Sequence, residues 1–264
     1  MVRKMLSALA AVLAIVGPAA GQSPPGDVVR AELLGGWRTE AGTQMAGLRL
    51  VLAPGWKTYW RAPGDAGIPP LADWTGSENL AAARFHWPRP EVFELSGLRT
   101  LGYADEVILP LELEPATPGA PIRLEGEIEL GVCEDICVPV TLRLSAPMPM
   151  PGSSDPAIHA ALAAVPPVVA APRRCRVEPI RDGMRVTADI DHPRIGEGEV
   201  AVIEAGDPAI WVSEPEMSRD GGRLTLVADM VPPAARPFAL DRSGVVITLL
   251  GGGKAVELRG CPAG

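Results

Sequence analysis

Period-two alternation is the strongest pattern in this chain. Between residues 122 and 130 the apolar Ile122, Leu124, Ile128 and Leu130 hold even positions, and Arg123, Glu125, Glu127 and Glu129 hold odd ones. Beyond residue 139, Val140, Leu142 and Leu144 are even again, with Thr141 and Arg143 between them. Two half-buried strands joined by a short loop account for both runs. A loop at 134–136 sets the register: Cys133 faces Cys137, Leu130 faces Val140, Ile128 faces Leu142 and Glu127 faces Arg143. Both cysteines fall in the polar phase, so the pair is expected to point outward.

The same reading extends along the chain. Residues 28–34 and 46–53 predict strands, and Pro54-Gly55 a turn. A short aromatic strand follows at 56–61, then a tight loop at 63–67. Ser77–Arg84 predicts two helical turns with Ser77 as N-cap. Trp87-Pro-Arg-Pro90 is extended by its prolines, and residues 103–110 lead into another strand. Residues 147–172 read as a Pro-rich, semi-rigid linker holding a short Asp-capped helix at 155–164. Strands resume at 184–190, 199–204, 224–227, 245–250 and 255–258, with hairpin-like turns at Asp220-Gly-Gly222 and Gly251-Gly-Gly253. The result is an all-β chain of two domains, 22–146 and 173–264, around the linker. Nine of the eleven aromatic residues lie between Trp37 and Tyr103. That clustering predicts the first core, with Trp56, Tyr59 and Tyr103 as candidates for a lid over the cysteine pair.

Composition adds the compartment. Arg3 and Lys4 precede an apolar run from Met5 to Val16 and a small-residue step at 19–21. Residues 1–21 therefore read as a cleaved signal peptide, too short to span a membrane, and the rest holds no apolar run long enough to span one. Export places the four cysteines where disulfides persist. A formal charge of −8 argues against nucleic acid and anionic membranes as partners.

Cys175 and Cys261 bracket the second domain, and a bond between them would be a structural staple worth on the order of 4–5 kcal/mol. A Cys133–Cys137 bond closes so short a loop that it stabilises little, which suits a labile, reactive disulfide. Glu134 and Asp135 should raise the thiol pKa values, so the pair is expected to be attacked as a disulfide by a partner's thiolate. Asp65 is a further candidate to tune it. The alternative is copper binding: two soft thiolates, with Met148 and Met150 nearby in sequence. Against it, Pro139 and a strand follow the cysteines, unlike the helix of Sco-type copper chaperones, and His86, His159 and His192 are scattered. A third reading is a non-catalytic interaction module of two β domains. No phosphate loop, zinc spacing or Ser/His/Asp signature stands out, so neither cofactor nor metal is expected.

The run Gly55-Trp-Lys-Thr-Tyr-Trp-Arg-Ala-Pro-Gly-Asp-Ala-Gly67, then Asp73-Trp74, Trp87-Pro88, Gly102-Tyr103, Leu109-Pro110 and Cys133-x3-Cys137-x-Pro139, resembles the N-terminal periplasmic domain of the thiol:disulfide interchange protein DsbD. It is most similar to the copper-tolerance branch called ScsB. The resemblance covers residues 28–145. It implies an immunoglobulin-like β-sandwich, extended here to both domains, with Cys133 and Cys137 as the catalytic pair under an aromatic cap. It also implies a periplasmic protein that takes electrons from a membrane-embedded reductant and passes them to thioredoxin-fold proteins. Full-length relatives continue into a membrane domain that this chain lacks, so the reductant is expected to act in trans.

Overall fold

The computed structural model describes residues 28–65, 67–95 and 97–263. The expected signal peptide lies outside them. Among the described residues no helix is long and apolar enough to cross a membrane.

The first unit is a sandwich of two antiparallel sheets. One orders β1 (Val29–Arg38), β2 (Gln44–Leu52), β8 (Glu106–Pro115) and β5 (Leu80–Phe85) as β1-β2-β8-β5. The other orders β10 (Cys137–Pro147), β9 (Arg123–Cys133), β3 (Lys57–Tyr59), β7 (Leu98–Ala104) and β6 (Glu91–Leu95), with β4 (Leu71–Asp73) also paired to β9. Leu48, Leu50, Leu109, Ile128, Leu130, Val132 and Trp60 fill the space between, each no more than 2 % exposed. The β9–β10 register is the one the alternation dictates, from Cys133 opposite Cys137 to Glu127 opposite Arg143. On the outer face Arg143 Nε donates to Glu127 Oε1 at 2.5 Å.

The second unit is also a β-sandwich. One sheet orders β11 (Arg173–Pro179), β12 (Met184–Asp191), β16 (Arg223–Val231) and β14 (Trp211–Val212), with β15 (Glu216–Asp220) on β16; the other is β13 (Val200–Glu204), β17 (Val246–Gly251) and β18 (Lys254–Arg259). Gly221 and Gly252-Gly253 adopt positive φ in the β15–β16 and β17–β18 turns, as their sequences require. Among the described residues the architecture is all-β with one short helix.

Two expectations change. Ser77–Arg84 is not helical. The Ser77 hydroxyl bonds both the carbonyl and the N–H of Glu125, and Asn79 takes a left-handed φ of 56° while its amide bonds the carbonyls of Thr117, Ala120 and Pro121. The expected N-cap is thus spent on neighbouring chain, and the alanines that follow pair with the open edge of β8. The run 103–110 leads into a strand as expected, β8. Asp105, at φ 56°, breaks the run so that β7 and β8 enter opposite sheets. Last, the proline-rich segment does not stand free as a spacer. Helix α1 (Pro156–Ala163) is capped by Asp155 as expected, but its Ile158 is fully buried against Gly36 and Gly47. Met148 is buried in a cluster with Leu111, Leu113 and Leu124, so this segment packs on the first sandwich.

Candidate functional site: a disulfide at the end of a covered hairpin

Cys133 and Cys137 are joined in a disulfide across the hairpin, with their Cα atoms 4.1 Å apart. The expectation that both point outward needs correction. Cys137, on the outer strand β10, is exposed, but Cys133 is only 2 % exposed. On β9 the alternation holds through Glu129 and then fails, since Gly131 and Cys133 are buried on the face where Glu125, Glu127 and Glu129 are open. The cause is a cover laid on that face. β3 pairs with the far edge of β9, putting Lys57 beside Cys133 and running the chain on through Tyr59. The Tyr59 ring lies across Gly131, where an added Cβ would sit 3.0 Å from the ring and 2.9 Å from Ile68 Cβ. Gly131 is therefore the vacancy that lets the ring approach the strand closely. Gly67 closes over the ring from the opposite side, with Pro63 beside it.

The Tyr59 hydroxyl stands 2.9 Å from Cys133 Sγ and 3.2 Å from Cys137 Sγ. Bonded sulfurs carry no proton, so the hydroxyl donates. Burial pushes its pKa above the ordinary 10.0, which keeps the donor protonated at neutral pH. The same donor can hold a thiolate, to which hydrogen bonds are stronger than to a neutral acceptor. The site thus has one sulfur open to attack and one held as a leaving group.

The other candidates fall in different places. Trp56 is half-buried against the first core. Tyr103 is a core residue whose hydroxyl donates to Pro88 O at 2.8 Å, and burial drives its pKa far up. Asp65, Glu134 and Asp135 are exposed. Glu134 leans back over the turn at Gly55, where the positive φ of 84° favours glycine. Met148 sits past the far end of β10, roughly 35 Å along an extended strand from Cys137, and is buried. It cannot join the cysteines around one metal. Cys175 and Cys261 are bonded and at most 1 % exposed.

Sequence reasoning missed Gly131, Ile68 and Arg61. Gly131 was the legible one: a glycine inside an alternating strand marks close approach by something else.

The hairpin lies within the stretch that comparison with known proteins matches. The family described as thiol:disulfide interchange protein DsbD, N-terminal, matches residues 30–149. The solved N-terminal periplasmic domain of ScsB from Proteus mirabilis aligns with a TM-score of 0.66 at 22% identity, over 92% of this chain and 97% of that one. That likeness establishes the fold through both sandwiches. The reduced DsbD N-terminal domain of Neisseria meningitidis gives a TM-score of 0.32 at 17% identity, over 47% of this chain and 88% of that one. No curated protein matches. The cysteine pair, the strand vacancy at Gly131 and the covering tyrosine all lie within the family match, and residues 30–149 are a domain of the DsbD N-terminal type.

Proposed function

We propose that this protein is a periplasmic thiol–disulfide interchange protein that relays electrons through Cys133–Cys137. The observation that carries the reading is the asymmetry of the pair: Cys137 is exposed, and Cys133 is buried with a tyrosine hydroxyl 2.9 Å from its sulfur. A reducing partner's thiolate attacks Cys137 Sγ in line with the S–S bond. That bond breaks, a mixed disulfide forms at Cys137, and Cys133 leaves as a thiolate held by Tyr59 until it takes up a proton. The partner's second thiolate then attacks its own half of the mixed disulfide and releases Cys137. Two electrons and two protons have entered the pair, and the partner has become a disulfide. The outward half reverses this. Cys137 thiolate attacks the disulfide of an oxidised client, and Cys133 resolves the mixed disulfide, leaving the client as a dithiol and restoring the Cys133–Cys137 bond.

The proposed donor is a membrane-embedded thiol reductant acting in trans, and the proposed clients are thioredoxin-fold proteins of the periplasm. Support comes from the family matched by residues 30–149 and from the acidic, exposed hairpin tip. Trapping tests the order of attack. A Cys133→Ala protein, which keeps the attacking sulfur and loses the resolving one, should accumulate a mixed disulfide with an oxidised client. Cys137→Ala should accumulate none. Equal trapping by both, or client reduction by Cys133→Ala at the native rate, would end the proposal.

A further inference from the structure

The cover over Cys133 is not held by the first sandwich alone. The segment that makes it begins at Tyr59, ends at Ile68 and contains Arg61, whose side chain leaves the first sandwich. Arg61 Nε and one terminal nitrogen donate to the two carboxylate oxygens of Glu204 on β13, both at 2.9 Å, and that nitrogen also reaches Glu257 Oε1 on β18 at 2.6 Å. The side chains of Arg61 and Glu204 are about a fifth exposed, and that of Glu257 is 6 % exposed. The guanidinium lies 4.2 Å from the Trp60 ring centre, and Trp60 is wholly buried between Tyr59 and Arg61. The neighbouring strand is clamped the same way. Leu101 brackets the segment by accepting from Trp60 N–H and donating to Pro63 O, and Arg99, two residues before it, pairs with Glu214 of the second sandwich.

A two-carboxylate grip on one arginine is a costly way to join two surfaces. Replacing buried ion pairs by well-packed apolar residues is often neutral or stabilising. What a planar guanidinium fork provides and an apolar contact does not is orientation, since two parallel bonds fix both its plane and its direction. Here the plane so fixed is stacked on Trp60, the immediate neighbour of the tyrosine that covers the buried sulfur.

We propose that Arg61, gripped by Glu204 and Glu257, is a positioning residue through which the second sandwich holds Tyr59 over Cys133, and so confines attack by outside reagents to Cys137. This rests on the reading of Cys137 as the attacked sulfur. It assigns the second sandwich a task at the disulfide although it contributes no atom to it.

The test reads the cover directly and needs no physiological partner, so its outcome is separable from that of the relay. In the full chain, Cys137→Ser leaves Cys133 as the site's single thiol, and Cys133→Ser leaves Cys137. Each is reacted with iodoacetamide with and without Arg61→Ala, while the intact Cys175–Cys261 bond and the unfolding midpoint report folding. Arg61→Ala should speed alkylation of Cys133 on the order of tenfold and leave Cys137 unchanged. Arg61→Lys, which keeps the charge but loses the fork, should fall between. An unchanged Cys133 rate in the folded variant overturns the proposal, and so does equal acceleration at both cysteines, which would mean general loosening. If Arg61→Ala does not fold, Glu204→Gln decides by the same two rates.

Discussion

The molecule carries two disulfides that share a chemistry and little else. Cys133–Cys137 spans a sequence separation of 4 at the end of a hairpin, with one sulfur in solvent and the other under a tyrosine. Cys175–Cys261 spans 86, ties the start of β11 to the end of the described chain, and lies inside the second core. Around it the groups serve fixation: Cys175 N–H donates to Pro262 O, and Arg242 bonds the carbonyls of both cysteines. Loop length and access, more than the bond itself, separate a staple from a reactive couple.

The largest effect that would sharpen this contrast is on stability. In the chain-entropy account, deleting Cys175–Cys261 by double alanine substitution should cost on the order of 4–5 kcal/mol, and deleting Cys133–Cys137 only about 2 kcal/mol. Denaturant unfolding of the two double variants measures the gap, and equal losses would break the comparison. Next comes Tyr59→Phe, which keeps the cover and removes the donor. Losing a hydrogen bond to a developing thiolate should slow reduction of Cys133–Cys137 by a small thiol about tenfold, near 1.4 kcal/mol, and lower its reduction potential by roughly 30 mV. The Cys175–Cys261 couple should not move. A Tyr59→Phe protein with native kinetics would leave loop length and exposure as the whole difference between the bonds.

The smallest effect concerns acid. Burial would raise the Glu199 carboxyl, but hydrogen bonds from Arg219 and the Ile195 N–H, with the Arg219 charge, hold it below its ordinary 4.5. A carboxylate whose pKa falls on folding stabilises the folded state above its unfolded value, and the contribution disappears as pH drops through the folded one. The second sandwich should therefore weaken below about pH 4.5, with Glu199→Gln flattening that dependence. Unfolding midpoints against pH check the sign.

Much of the fold was legible because one face of each strand is buried and the other wet. The β9–β10 register, the glycine turns and the Asp155 cap each follow from a local rule. What the sequence hid was non-local. Ser77 looks like a helix starter until β9 claims its hydroxyl. Cys133 looks exposed because its phase is polar, and a cover centred on Tyr59, 74 residues earlier, buries it. Arg61 carried no signal in the sequence, since its partners are 143 and 196 residues away.

The docking of the connecting segment carries a last consequence. With α1 packed on the first sandwich through Ile158, and Val169 N–H bonded to Glu257 O on the second, the proline-rich stretch lends the disulfide no swing. A tethered carrier gains from a high effective concentration at its stations, and this geometry forgoes that gain. In the proposed relay, donor and acceptor would each come to one stationary port, where a single accessible sulfur admits only one visitor at a time. Turnover should then follow a strict alternation, with each side of the traffic inhibiting the other when in excess.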